Sequence, residues 1–168
     1  MKTNICFVAN FTLTYVFREM AEYLLADDAD VFWIVPKTAQ YHELAAKFGK
    51  EKVLLLDRTL INEPQAPVGD FKLNELLYGD RVWRYDMENG LKYLTHIQYP
   101  IYNFIKANKI NCVFGECTWA HELLIHRICS QQPELNCKYR SHITSRIPTG
   151  RFIFTADEKH AEIIEFAH

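Results

Sequence analysis

Three short, unbroken apolar runs constrain this chain most: Ile5-Cys6-Phe7-Val8-Ala9, Val31-Phe32-Trp33-Ile34-Val35 and Val53-Leu54-Leu55-Leu56. A strand with one wet face alternates apolar and polar residues. These runs do not alternate, so both of their faces must be covered. Between them lie stretches of helical patterning. One is capped by Thr12 or Thr14 and runs to about residue 26, with Tyr15, Val16, Met20, Tyr23 and Leu24 on its inner face. The next runs over 38–48 and stops at Gly49. Strands and helices alternating through short connections build a parallel sheet with right-handed crossovers.

The rest of the chain continues the pattern. Ile110-Asn111-Cys112-Val113-Phe114 reads as a fourth strand, 137–143 as a fifth and Phe152-Ile153-Phe154 as a short sixth. Helices are expected over 71–77, 80–108 (kinked or split at Pro100), 119–130 and 156–166. The expected fold class is therefore α/β: a Rossmann-like parallel sheet with helices on both faces, in which the strands near Ile5, Val31, Val53 and Ile110 are neighbours. With 168 residues the chain is one domain's worth, able to bury roughly 70% of its unfolded surface. Its formal net charge of −2 argues against nucleic acid, or an anionic membrane, as a partner recognised by bulk charge.

Five cysteines, Cys6, Cys112, Cys117, Cys129 and Cys137, occur without a CxxC pair. They read as buried thiols in a reducing compartment rather than disulfides or metal ligands. The N-terminal apolar run is shorter than a secretory leader requires, and no stretch nears the ~20 apolar residues of a membrane span. The expected location is cytoplasmic, or peripheral at the inner face of a membrane through a partner or a missing segment.

Ligands of open α/β sheets bind at the carboxyl ends of the strands, so the strand exits hold the candidate residues. After the first strand comes Asn10-Phe11-Thr12, with no glycine. This is not the G-x-G-x-x-G turn that lets a dinucleotide pyrophosphate approach the backbone, and no P-loop occurs anywhere. Asn10, Phe11 and Thr12 either meet a ligand or supply turn and cap hydrogen bonds. After the fourth strand, Glu116, Thr118, His121 and Glu122 fall together. Glu116 is a candidate general base if burial raises its pKa. The plainer reading has Thr118 capping the helix while Glu116 and Glu122 favour its N-terminal dipole. His121 and His126 are five residues apart, roughly 140° around a helix, which sets the two rings apart and gives no metal site. Arg146 and Arg151 flank a Pro/Gly turn, where guanidinium forks suit phosphate or carboxylate, or make surface ion pairs. Aromatics cluster from Phe71 to Phe104. Sugars stack on such rings, but the helical spacing of Tyr78, Val82 and Tyr85 favours core.

Through Glu116-Cys117-Thr118-Trp119-Ala120-His121-Glu122 and Arg146-Ile147-Pro148-Thr149-Gly150-Arg151-Phe152, the chain resembles the N-terminal half of GT-B-type bacterial capsule and surface-polysaccharide glycosyltransferases. The likeness extends over the chain in the order of its elements. The resemblance implies that this domain holds the sugar acceptor through Asn10, Phe11, Thr12, Thr118 and Glu122, with Glu116 or His121 as the base. It implies Arg146 or Arg151 meeting a donor phosphate or an acidic sugar. It implies no cofactor beyond a nucleotide-sugar co-substrate, bound mainly by a second domain past His168. A single such half is expected to bind weakly and turn over nothing. The rival from another class is a non-catalytic module that binds a small molecule or a partner protein through the same edge. A response-regulator-like domain would need an acidic cluster at the first strand exit, and residues 6–12 contain no acid. A flavodoxin-like domain would need a phosphate loop there, to which only Thr12 and Thr14 contribute.

Overall fold

A computed structural model describes residues 3–10, 13–60, 67–143 and 153–159. The chain forms β1 (Asn4–Val8), α1 (Leu13–Ala26), β2 (Asp30–Val35), α2 (Thr38–Phe48), β3 (Val53–Leu55), α3 (Leu73–Tyr78), α4 (Met87–Ala107), β4 (Cys112–Gly115), α5 (Ala120–Gln131), β5 (Lys138–Ile143) and β6 (Ile153–Thr155). The strands make one sheet in the order β3-β2-β1-β4-β5-β6. β1 to β5 are mutually parallel, and β6 pairs antiparallel with β5. This is a Rossmann-like α/β fold. β1 sits in the middle, with Ile5 in register with Val31 on one side and with Cys112 on the other.

The unbroken apolar runs are explained by the two cores. Ile5, Phe7, Ala9, Val31, Trp33 and Val35 point to the face covered by α1 and α2, while Cys6, Val8, Phe32 and Ile34 point to the face covered by α3, α4 and α5. Successive residues of one strand thus enter opposite cores.

Several local expectations are corrected. The inner stripe of α1 is Thr14, Phe17 and Ala21, flanked by the partly buried Met20 and Leu24. Phe17 stacks on Phe7 with ring centroids 4.9 Å apart. Tyr15 and Tyr23 face solvent instead, because a helix only 14 residues long presents one stripe to the sheet, and Phe17 fixes which one. The helix expected from residue 80 begins at Met87. Asp80 folds its carboxylate back on the N–H groups of Val82 and Trp83, at 2.8 and 2.9 Å, so a side-chain turn displaces the first helical turns. Asp86 then caps α4 through Asn89 N–H. Pro100 does not split α4. Buried Tyr93, Leu94 and Ile97 before it, and Ile101 and Ile105 after it, form one stripe against the sheet, and that burial offsets the missing backbone bond. Tyr78 and Tyr85, spaced as core, are 73% and 77% exposed, and Val82 is exposed as well. Tyr78 ends α3, and Val82 and Tyr85 lie on the excursion that replaces the first turns of the expected helix. Residues 156–159 form bends and a turn rather than a helical start, and the remainder of that expected helix lies outside the described residues.

Candidate functional site at the β1–β4 crevice

The strand order reverses direction at β1. β2 and β3 follow on one side, and β4 and β5 lie on the other. The connections leaving β1 and β4 therefore diverge to opposite faces and leave a crevice between their exits, the place where open parallel sheets take ligands. Asn10 stands at the first exit and Glu116 at the second. The topology brings together residues 106 apart in sequence, with Asn10 Nδ2 3.5 Å from Glu116 Oε2, a long hydrogen bond. The Thr118 hydroxyl donates toward the Glu116 and Glu122 carboxylates, 3.3 Å from each. Four of the sequence-derived site residues, Asn10, Glu116, Thr118 and Glu122, thus form one contiguous set. Asn10 is buried, Glu116 half-buried and Thr118 exposed.

The turn between β4 and α5 is built around a buried carboxylate. Glu122 is fully buried and accepts from the backbone N–H of Glu116 at 3.1 Å, Thr118 at 3.0 Å and Trp119 at 3.2 Å. Cys117, within that turn, adopts a left-handed conformation with φ 57. Ser141 of β5 donates its hydroxyl to the Glu116 carbonyl at 2.9 Å. Thr118 does not cap the helix. Trp119 occupies the cap position; Glu122, three residues into the helix, takes N–H groups of the turn before it, and Asp80 takes the first N–H of the helix. The Asp80 carboxylate is 1% exposed and accepts from Ala120 N–H at 2.8 Å. Two carboxylates therefore hold the turn and the first N–H of α5, and their negative charge at this helix end disfavours an anionic ligand.

His121 is 2% exposed. Burial, helped by the Arg58 guanidinium and opposed by Asp80, pushes its pKa down to about 4, so the imidazole is neutral near pH 7. Its Nε2 has no hydrogen-bond partner. His126 lies elsewhere, with Nε2 3.1 Å from the Ala156 carbonyl and its ring 5.4 Å from that of Tyr139. Phe11, Thr12, Arg146 and Arg151 lie outside the described residues. Sequence reasoning missed Asp80 and Ser141, which hold the turn from residues distant in sequence. An Asp ahead of an apolar stripe signals a cap, yet the helix that Asp80 caps is 40 residues further on.

Burial raises the Glu122 pKa to about 7, against the opposing pull of the three N–H bonds and with the nearby Glu116 adding to the rise. A carboxyl with a raised folded pKa holds its proton more tightly in the folded state. Its contribution to stability is therefore highest below the ordinary value of 4.5 and falls as pH rises to about 7. The expected fall is about 3 kcal/mol. His121 acts in the opposite sense, because its lowered pKa costs stability as pH falls through the interval from 6.5 to about 4. The two effects overlap and flatten the wild-type profile. Urea unfolding across pH 4.5 to pH 8 should therefore show Glu122→Gln gaining relative to wild type as pH rises. Parallel profiles for the two proteins would reject a raised Glu122 pKa.

Comparison of the chain with protein-family models, with curated proteins and with solved structures finds no match.

Proposed function

We propose that this domain holds a hydroxyl-bearing sugar acceptor in the β1–β4 crevice, as the acceptor half of a glycosyltransferase acting in bacterial surface-polysaccharide synthesis. The observation that carries this reading is the Glu116 carboxylate, half-buried at the strand-order reversal and faced by Asn10 at 3.5 Å. The Glu122 and Asp80 carboxylates sit at the neighbouring helix end and take the N–H groups of Thr118, Trp119 and Ala120. A phosphate site needs free donors. A crevice that offers acceptors instead suits a ligand that donates, as sugar hydroxyls do.

In this reading Glu116 takes the proton of the attacking acceptor hydroxyl, and that hydroxyl oxygen bonds to the sugar carbon as the nucleotide leaves. Thr118 and Asn10 orient the carboxylate and the acceptor. Glu122 fixes the turn that carries Glu116, and His121 is buried and neutral on α5. A nucleotide-sugar serves as co-substrate, held mainly by a second domain, with Arg146 or Arg151 meeting its phosphate.

The test is a titration of isotope-labelled protein with acceptor-type oligosaccharides and, separately, with nucleotide-sugars. Amide resonances of Asn10, Glu116 and Thr118 should move with the oligosaccharides, and Glu116→Ala should weaken that response about tenfold, the loss of a charged hydrogen bond. In the two-domain enzyme, Glu116→Gln should lower turnover by about 10²-fold with the fold intact, as loss of a positioned base does. A crevice that ignores every saccharide, or a Glu116→Gln enzyme at wild-type turnover, would rule the reading out and leave a non-catalytic binding module.

A further inference from the structure

We propose that Cys129 and Cys137 form a reversible disulfide by exchange with a small-molecule disulfide that enters a pocket beside α5 and β5. The two sulfurs lie 3.6 Å apart, with the Cys129 thiol directed at Cys137 Sγ. A disulfide needs about 2.05 Å, so the pair is within a small side-chain movement of bonding distance. Cys129 lies in the last turn of α5. Cys137 occupies the residue between Asn136, which is left-handed with φ 46, and the start of β5. It lies outside both helix and strand, with its side chain buried in the core. Both thiols are free. Cys6 and Cys112 lie within electrostatic reach of Cys137, and the Cys6 thiol is directed at the Phe7 carbonyl.

Access distinguishes this pair from an inert buried one. Cys129 and Cys137 line a pocket of about 240 Å³, together with His126, Ser130, Tyr139 and Ala156 among its walls. The pocket is at the foot of β5, whereas the crevice lies at the strand exits, so this chemistry is separate from the proposed acceptor site.

The hydrogen bond sets the order of events. That bond, with burial, holds the Cys129 thiol well above the ordinary thiol range, so Cys129 does not attack first. Cys137 as thiolate attacks one sulfur of the incoming disulfide, and the departing thiolate takes up the proton that Cys137 released. Cys129 then loses its proton and attacks Cys137 Sγ, expelling the second small thiol. The two protein thiols lose two electrons and two protons, and the small disulfide is reduced to two thiols. The product ties the end of α5 covalently to the foot of β5.

The experiment uses the whole chain, folded, with oxidised glutathione as oxidant. After incubation the protein is unfolded in acid, which quenches exchange, its free thiols are alkylated in denaturant, and its peptides are mapped by mass. The expected result is a Cys129–Cys137 linked peptide, a chain lighter by two hydrogen atoms, alkylation of Cys6, Cys112 and Cys117 after unfolding, and full reversal by dithiothreitol. In Cys129→Ser the glutathione adduct should remain on Cys137, and in Cys137→Ser neither link nor adduct should form at Cys129. Wild-type protein that keeps both thiols, or carries separate glutathione adducts on both without a link, overturns the proposal. So does a link that pairs either cysteine with a different one.

Discussion

Gly115→Ala is expected to destabilise the fold by about 3 kcal/mol, the upper end of what overpacking usually costs. Gly115 ends β4, and a Cβ added there would lie 2.0 Å from the Tyr139 hydroxyl oxygen, 3.0 Å from its Cζ and 3.3 Å from Glu122 Oε1. The glycine is needed for space, since its backbone is ordinary strand. Tyr139 cannot step aside. Its ring is buried on β5, the strand paired with β4, and meets the His126 ring edge to face. Glu122 is pinned by its three N–H bonds. Tyr139→Phe in the same chain removes the nearest atom, so the double variant should regain more than half of the loss, a strong coupling between touching residues. Denaturant midpoints for the two single variants and the double variant decide the matter. A Gly115→Ala protein within about 0.5 kcal/mol of wild type, the range of an ordinary surface change, would refute the contact.

Asp80→Ala is expected to cost about 4 kcal/mol. The carboxylate is enclosed and accepts three backbone N–H bonds, from Val82, Trp83 and Ala120, and bonds to a charged acceptor each contribute about 1.5–3 kcal/mol. Their loss also leaves the buried Ala120 N–H without an acceptor. Asp80→Asn should fall near half that cost. One amide oxygen still serves Val82 and Trp83, but an NH2 then confronts Ala120 N–H. Because Asp80 joins the 80–86 excursion to α5, hydrogen exchange in Asp80→Ala should quicken at both places together. Exchange that quickens only near Val82 would mean the bond to α5 contributes little.

The sheet was legible because its strands are buried on both faces, and continuous apolar runs with helices between them have few other solutions. The pairing of Asn10 with Glu116 followed from topology alone, since parallel strands send all their exits to one edge. Failures came where a side chain redirected the backbone. Asp80 draws two N–H groups to itself and unmakes the helical turns that the spacing of Tyr78, Val82 and Tyr85 describes. Tyr15 and Tyr23 misled for another reason, because a tyrosine rests on a helix's wet face with its hydroxyl in water, and only the Phe7–Phe17 stack fixes the rotation of α1. Residue type alone leaves Thr118 open to two readings, a helix cap or a ligand contact. Its hydroxyl instead donates to Glu116 and Glu122, and Asp80 takes the first N–H of the helix.

The central place of β1 has a consequence for the order of assembly. The strands β1, β2 and β3 pair through nearby stretches of chain, so this half-sheet closes small loops and can form early. The partner on the other flank of β1 is β4, whose pairing Ile5↔Cys112 closes a loop spanning most of the chain, an entropic cost that delays it. Until β4 arrives, the innermost strand of the finished molecule is an exposed edge, open to pairing with another chain. During synthesis that edge stays open while residues 56–112 are being added, so the interval before β4 docks is when this protein is most exposed to aggregation and when a chaperone would do most to protect it.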